Sequence, residues 1–412
     1  MRTDAATPES GRRRAGLIVA LLALGVWVAC FRFPVVWNAT GIGEAGRPFL
    51  DLYGLLAASD AAQAGTDPFQ PNAFDPYHRP LLYTEWWLGA GKLGLTRADT
   101  NWLGWIVAGA TLLTAIAMIQ PRTRGEQVKT FLWLVSPAML MAINRANNDL
   151  VVFLVMSVGL VALRAENWPW RALGIVLFAA AAVLKYYPLA GLVVLLDART
   201  RRELAGAVAL YALVLLLAWP PLVAGLASAA RSKPSSEWLY AFGAPVLFRD
   251  LGFRSAAGWV VLAVVVGAGT IWSARKAVVP SPSDEANRVR KREFAVGAAL
   301  LAGCFFLGAS YVYKLVFAAW LFPWLWRDDS AQENRRWRLA IWWLLVGVLW
   351  LEGFMAIVIN VLATPLSRVF AERLLTFTLV TSQLLTWCLI ACLLRCLLSY
   401  ALRRAHAARV RP

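Results

Sequence analysis

Charge is scarce in this chain. Of its 412 residues only 16% are Asp, Glu, Lys or Arg, where an average soluble domain has roughly 25%. Hydrophobic residues make up 59%, against roughly 45–50% in such a domain. A water-soluble fold with this make-up has too few charges to cover its surface, so soluble enzymes and disordered tails are excluded. Histidine is nearly missing, with two residues, and the five cysteines lie in or beside apolar segments, so no disulfide framework follows. Cys388, Cys392 and Cys396 repeat every four residues and share one helix face. No other metal ligand stands near them, and they read as small packing residues. The chain has no Gly-x-x-x-x-Gly-Lys-Ser/Thr phosphate loop and no Asp-x-Asp metal–nucleotide pair.

What the chain does have is apolar length. Runs near 17–37, 101–119, 130–143, 150–163, 172–184, 186–196, 204–226, 256–274, 294–309, 312–326, 339–362 and 374–394 approach the ~20 residues that cross a bilayer core as a helix. The expectation is an all-α polytopic membrane protein, a single integral domain with about twelve transmembrane helices. Residues 1–16 are polar and precede the first run, but no small-x-small cleavage site follows it, so it reads as an uncleaved span. The polar breaks at Asn144–Asp149, Lys185–Tyr187 and Tyr311–Lys314 read as broken or re-entrant helices, which are tolerated only inside protein or beside a water-filled cavity.

The net charge of +17 would suggest nucleic acid in a soluble protein. In a membrane protein the better reading is the enrichment of Lys and Arg in cytoplasmic loops. With the N-terminus inside and strict alternation, the inner segments hold 27 of the 41 basic residues but only 12 of the 24 acidic ones. Both termini, 1–16 and the basic tail 395–412, are therefore expected in the cytoplasm. The two long loops, 38–98 and 227–255, then face the other side.

The first outer loop is expected to carry two surface helices. One runs from Leu52 to about Ala64 and is closed by Gly65-Thr66-Asp67-Pro68-Phe69. The other runs over 81–95 and contains Trp86 and Trp87. Asp51 at the start of the first helix has two readings, a helix N-cap or an acid–base carboxylate. His78 and Arg79 sit in a proline-flanked turn. Asn147, Asn148 and Asp149 suit capping of a helix from Leu150, and also hydrogen bonding to hydroxyls. Arg145, Lys185, Lys314, Arg249 and Arg254 lie at the outer ends of spans, where they either snorkel or bind an anion. Tyr186, Tyr187, Tyr311 and Tyr313 fit an interfacial aromatic belt or a stacking surface. Glu352 lies within an apolar run, where an ionisable group is costly.

In order along the chain come Asp51, Gly65-Thr66-Asp67-Pro68-Phe69, Tyr77-His78-Arg79-Pro80-Leu81, Asn144-Arg145-Ala146-Asn147-Asn148-Asp149, Lys185-Tyr186-Tyr187-Pro188 and Ser310-Tyr311-Val312-Tyr313-Lys314-Leu315. This series resembles the GT-C-type membrane glycosyltransferases, and within them glycosyltransferase family 87, the α-mannosyltransferase-like proteins that use polyprenyl-phosphate sugars. Ala146 stands where related chains often carry glycine.

The resemblance implies a GT-C-like bundle in the plasma (inner) membrane with an extracytoplasmic active site. It implies hexosyl transfer from a polyprenyl-phosphate donor to a hydroxyl of a cell-envelope glycan or glycolipid, without a metal or other cofactor. Asp51 would be the base. Arg145, Asn147, Asn148, Asp149, Lys185, Tyr187, Tyr313, Lys314, His78, Arg79, Arg249 and Arg254 would line the donor and acceptor sites. A secondary transporter or lipid flippase, with Glu352 as its key residue, is the alternative.

Overall fold

The computed structural model describes residues 9–42, 47–198, 200–231, 239–251, 257–276, 285–308, 310–327, 332–362 and 368–410. It is 82% helical. The helices are α1 (Glu9–Arg32), α2 (Val35–Ala39), α3 (Leu50–Gln63), α4 (Gly89–Lys92), α5 (Thr100–Ile119), α6 (Arg124–Leu134), α7 (Pro137–Arg145), α8 (Asn148–Ala162), α9 (Trp168–Leu184), α10 (Arg201–Leu217), α11 (Trp219–Arg231), α12 (Ala244–Asp250), α13 (Ala257–Lys276), α14 (Glu285–Phe306), α15 (Phe322–Arg327), α16 (Gln332–Leu362) and α17 (Arg368–Val410). Two short strands, β1 (Ala241–Phe242) and β2 (Ser310–Tyr311), pair antiparallel.

Among the described residues five helices are long and apolar enough to cross a membrane, or up to seven if each of two bent pairs forms one span. The bent pairs are α7–α8, turning by 101°, and α10–α11, turning by 65°. Both bends have local causes. Ser136 caps α7 and Pro137 opens it, while Ala146 in left-handed backbone (φ 39°) ends it. The α10–α11 break coincides with Trp219-Pro220-Pro221, where proline removes backbone donors.

The other apolar runs form shorter pieces. The run near 186–196 is a 3-10 helix, Tyr187–Asp197, and 312–326 divides into a 3-10 helix, Val312–Trp320, and α15. Runs of that length pack as buried core more readily than they span. Phe153, Phe178, Phe305, Phe317, Trp320 and Phe322 are enclosed in one core. Large residues on α13 such as Val261, Val264 and Val265 face outward, as a lipid-facing helix requires.

The first loop differs from expectation in two places. The helix expected over 81–95 is only a 3-10 turn, Glu85–Leu88, followed by the four-residue α4. Gly89, Gly91 and Gly94 weaken helix there. The first surface helix does form, as α3, but it begins at Leu50 and its N-cap position is Phe49. Asp51 is thus not the N-cap.

Candidate functional site

Hydrogen bonds tether the first loop to the bundle, among them one from the Ser228 hydroxyl of α11 to the Leu81 carbonyl at 2.6 Å. The Phe49 N–H donates to the Asn144 carbonyl at 2.7 Å, joining the start of α3 to the end of α7. Trp87 Nε1 donates to the Leu184 carbonyl at 3.0 Å, joining the loop to the end of α9. Phe49 adopts left-handed backbone (φ 59°) and its ring is buried against Phe31 and Trp105. A non-glycine residue is held there only by surroundings that over-determine it. The result is that α3 starts against the α7–α8 corner.

At that junction Asp51 meets Arg145. Arg145 Nε donates to Asp51 Oδ2 and Nη2 to Oδ1, both at 2.8 Å, which is a two-pronged pair. Asn147 Nδ2 donates to Oδ2 at 2.7 Å, and Arg79 Nη1 lies 3.4 Å from Oδ1. Burial opposes ionisation of Asp51, but Arg145, Asn147 and Arg79 more than offset it, holding the carboxyl below its ordinary pKa.

Arg79 is itself anchored by Asp75, through Nη2 at 2.8 Å and Nε at 3.2 Å, and donates to the Leu50 carbonyl at 2.9 Å. Asp75 also accepts the Tyr77 N–H at 2.8 Å. Gly54 makes this approach possible, since a Cβ there would stand 2.8 Å from Arg79 Nη2.

One turn further into the bundle is a second group. Asn147 caps α8, its Oδ1 accepting the Asp149 N–H at 2.9 Å, so α8 begins at Asn148 rather than Leu150. Asp149 is fully enclosed. It accepts Lys185 Nζ and the Tyr187 hydroxyl on Oδ1, and Lys314 Nζ lies 3.0 Å from Oδ2. Lys185 also donates to Asn148 Oδ1. Tyrosine rings surround the two ammonium groups. Lys314 is 3.9 Å from the Tyr187 centroid and 5.7 Å from that of Tyr313, and Lys185 is 5.0 Å from that of Tyr83.

Asp51, Arg79, Arg145, Asn147, Asn148, Asp149, Lys185, Tyr187, Tyr313 and Lys314 are therefore brought together from five separate stretches of chain. His78 is exposed on its turn with left-handed backbone (φ 53°), which fits a solvated loop position. Arg249 is half-buried at the end of α12, and Arg254 lies outside the described residues.

Sequence reasoning missed Asp75 and Tyr83. Asp75 precedes a proline, so it reads as ordinary turn chemistry, and only its spacing of four from Arg79 hinted at a partner. Among the described residues no group of three or more His, Cys, Asp or Glu is placed to hold a metal ion. A narrow crevice beside the cluster is lined by Leu82, Tyr83, Leu184, Lys185, Leu222 and Leu226.

A carboxylate held by a guanidinium, next to two enclosed ammonium groups, can orient a hydroxyl and receive an anion. Comparison with known family models, curated proteins and solved structures finds no match.

Proposed function

We propose that this chain is a membrane glycosyltransferase that moves a hexose from a polyprenyl-phosphate donor to an acceptor hydroxyl. In this reading it has a GT-C-like bundle, both termini in the cytoplasm and its site outside, in the plasma membrane, acting on a cell-envelope glycan or glycolipid. The observation that carries the reading is the junction of Asp51 with Arg145, beside Asp149 with Lys185 and Lys314. These are the motifs on which the family resemblance rests, and they meet although they lie far apart in sequence.

The chemistry follows from those groups. The acceptor oxygen attacks the anomeric carbon while the bond from that carbon to the phosphate oxygen breaks. The electron pair leaves with the polyprenyl phosphate, and the hydroxyl proton passes to Asp51. A single displacement inverts the anomeric centre. Arg145, Lys185 and Lys314 stabilise the charge that grows on the departing phosphate. In this reading Asn147, Asn148 and the tyrosine rings hold Asp51 and the two lysines in place beside the sugar.

The test is transfer by membranes supplied with polyprenyl-phosphate sugars. Asp51→Asn and Asp51→Ala are expected to lower it by about 10²–10⁴-fold. Unchanged transfer in both variants removes the base. A transporter would instead tolerate Asp51→Asn and fail in Glu352→Gln. Against that alternative, Glu352 is engaged by the backbone N–H of Tyr240, a bond that fastens β1 to α16.

A further inference from the structure

We propose that Arg145 is a shared clasp. In the empty protein its guanidinium closes on Asp51; the donor phosphate then takes over that fork and frees Asp51 to receive the acceptor hydroxyl, so the donor must bind first. This rests on the glycosyltransferase reading above and adds an order of events to it.

The first ground is saturation. A carboxylate offers about four lone-pair positions. Asp51 meets four N–H donors: two from Arg145, one from Asn147 and a longer one from Arg79. No position is left for a hydroxyl proton, so one donor has to leave before Asp51 can act.

The second ground is which donor can leave. Asn147 also caps α8, and Arg79 is pinned by Asp75 and the Leu50 carbonyl. Arg145 has Asp51 as its carboxylate partner, and its side chain is 28% exposed, so an anion can reach it. Its planar fork fits phosphate as well as carboxylate. Once Arg145 lets go, Asn147 and Arg79 still hold Asp51 in place.

The third ground is charge. Arg79, Arg145, Lys185 and Lys314 face Asp51, Asp75 and Asp149, which leaves one net positive charge in the linked cluster. A sugar phosphodiester carries one negative charge and neutralises it. The exchange also removes the partner that makes Asp51 a weak base, at the moment a base is needed.

The experiment is carboxyl labelling of the full-length protein in detergent micelles, using a water-soluble carbodiimide and an amine at mildly acidic pH. Labelling is read residue by residue by mass spectrometry. Polyprenyl monophosphate, which has the anion and chain but no sugar, is expected to raise labelling of Asp51 about tenfold, the change in protonated fraction for a one-unit rise in pKa. Polyprenol of the same length is expected to leave it unchanged. Arg145→Gln, which removes the charge and the fork together, should show high labelling of Asp51 with no lipid added. Asp149, enclosed in all forms, serves as the folding control and stays unlabelled.

If native mass spectrometry shows polyprenyl monophosphate bound while Asp51 labelling stays flat or falls, the clasp is overturned and the donor site stands. If the lipid phosphate does not bind, the clasp and the transferase reading fall together. Low labelling in a folded Arg145→Gln protein also overturns the clasp.

Discussion

At the Asn148 end of α8, Asp149 meets Lys185, Lys314 and a tyrosine hydroxyl. At the Ala162 end, about 22 Å away by helical rise, Asp197 meets Arg288 and Arg292, and Glu293 meets Arg164. The two ends use similar charges but different partners. Arg292 and Arg171 both donate to the Leu163 carbonyl just past α8, Arg288 to the Asp197 carbonyl, and Arg327 to the Ile119 carbonyl at the end of α5. These arginines satisfy carbonyls that helix ends leave open and complement the negative end of the helix dipole. At the Asn148 end, Arg145, Lys185 and Lys314 are held by carboxylates, an amide oxygen and tyrosine faces. Cations fastened to backbone staple helices together. Cations held by side chains can exchange those partners for a ligand.

The strongest way to break this comparison is at the stapled end. Asp197→Asn takes from the enclosed Arg292 its ion-pair partner and is expected to cost about 3–5 kcal/mol. The effect should appear as lost folded protein on detergent chromatography, with transfer per folded molecule unchanged. A loss of transfer at full folded yield would erase the distinction between the two ends.

Lys314→Met should do the reverse. Asp149 keeps Lys185, so folded yield holds, while binding of polyprenyl monophosphate weakens by about 1.5–3 kcal/mol, the worth of one charged hydrogen bond. Equilibrium binding measures it.

A smaller effect concerns pH. The pKa of Asp51 is lowered in the folded protein, so its ion pairs contribute stability that is complete above the unfolded carboxylate value, about 3.9. That stability is lost as pH falls through the lower folded value. The difference in melting temperature between the wild type and Asp51→Asn should therefore be constant near neutrality and shrink in acid. A difference that grows on acidification contradicts the pairing.

The smallest effect is expected at the corner. Ala146 pays for left-handed backbone, so Ala146→Gly should stabilise by up to about 1 kcal/mol without touching transfer. Thermal unfolding at matched detergent resolves it.

Much of this was legible from the chain itself. Apolar run length foretold a helical membrane protein, and the polar interruptions at 144–149, 185–187 and 311–314 fall where helices break. The charges in those interruptions are the ones that meet. Less legible was which apolar run crosses and which packs inside, because 186–196 and 312–326 carry the hydropathy of a span at the length of a core segment. The pairing of β1 with β2 left no sequence signal, since two residues a side show no period. Asp51 was readable as a polar residue at a helix start, yet its partner lies 94 residues away, brought within reach by contacts such as the Phe49–Asn144 tether that no local pattern announces. Asp75 stayed hidden because an aspartate before proline needs no explanation beyond its turn.

That tether has a consequence for the lipid around the protein. A surface helix resting freely on a bilayer rises and sinks with the thickness of the membrane beneath it. Because α3 hangs from the corner of α7 by a backbone bond, the height of Asp51 is set by the protein's own frame. Reconstitution into bilayers of different acyl length should therefore alter how the bundle tilts while leaving the Asp51–Arg145 spacing unmoved.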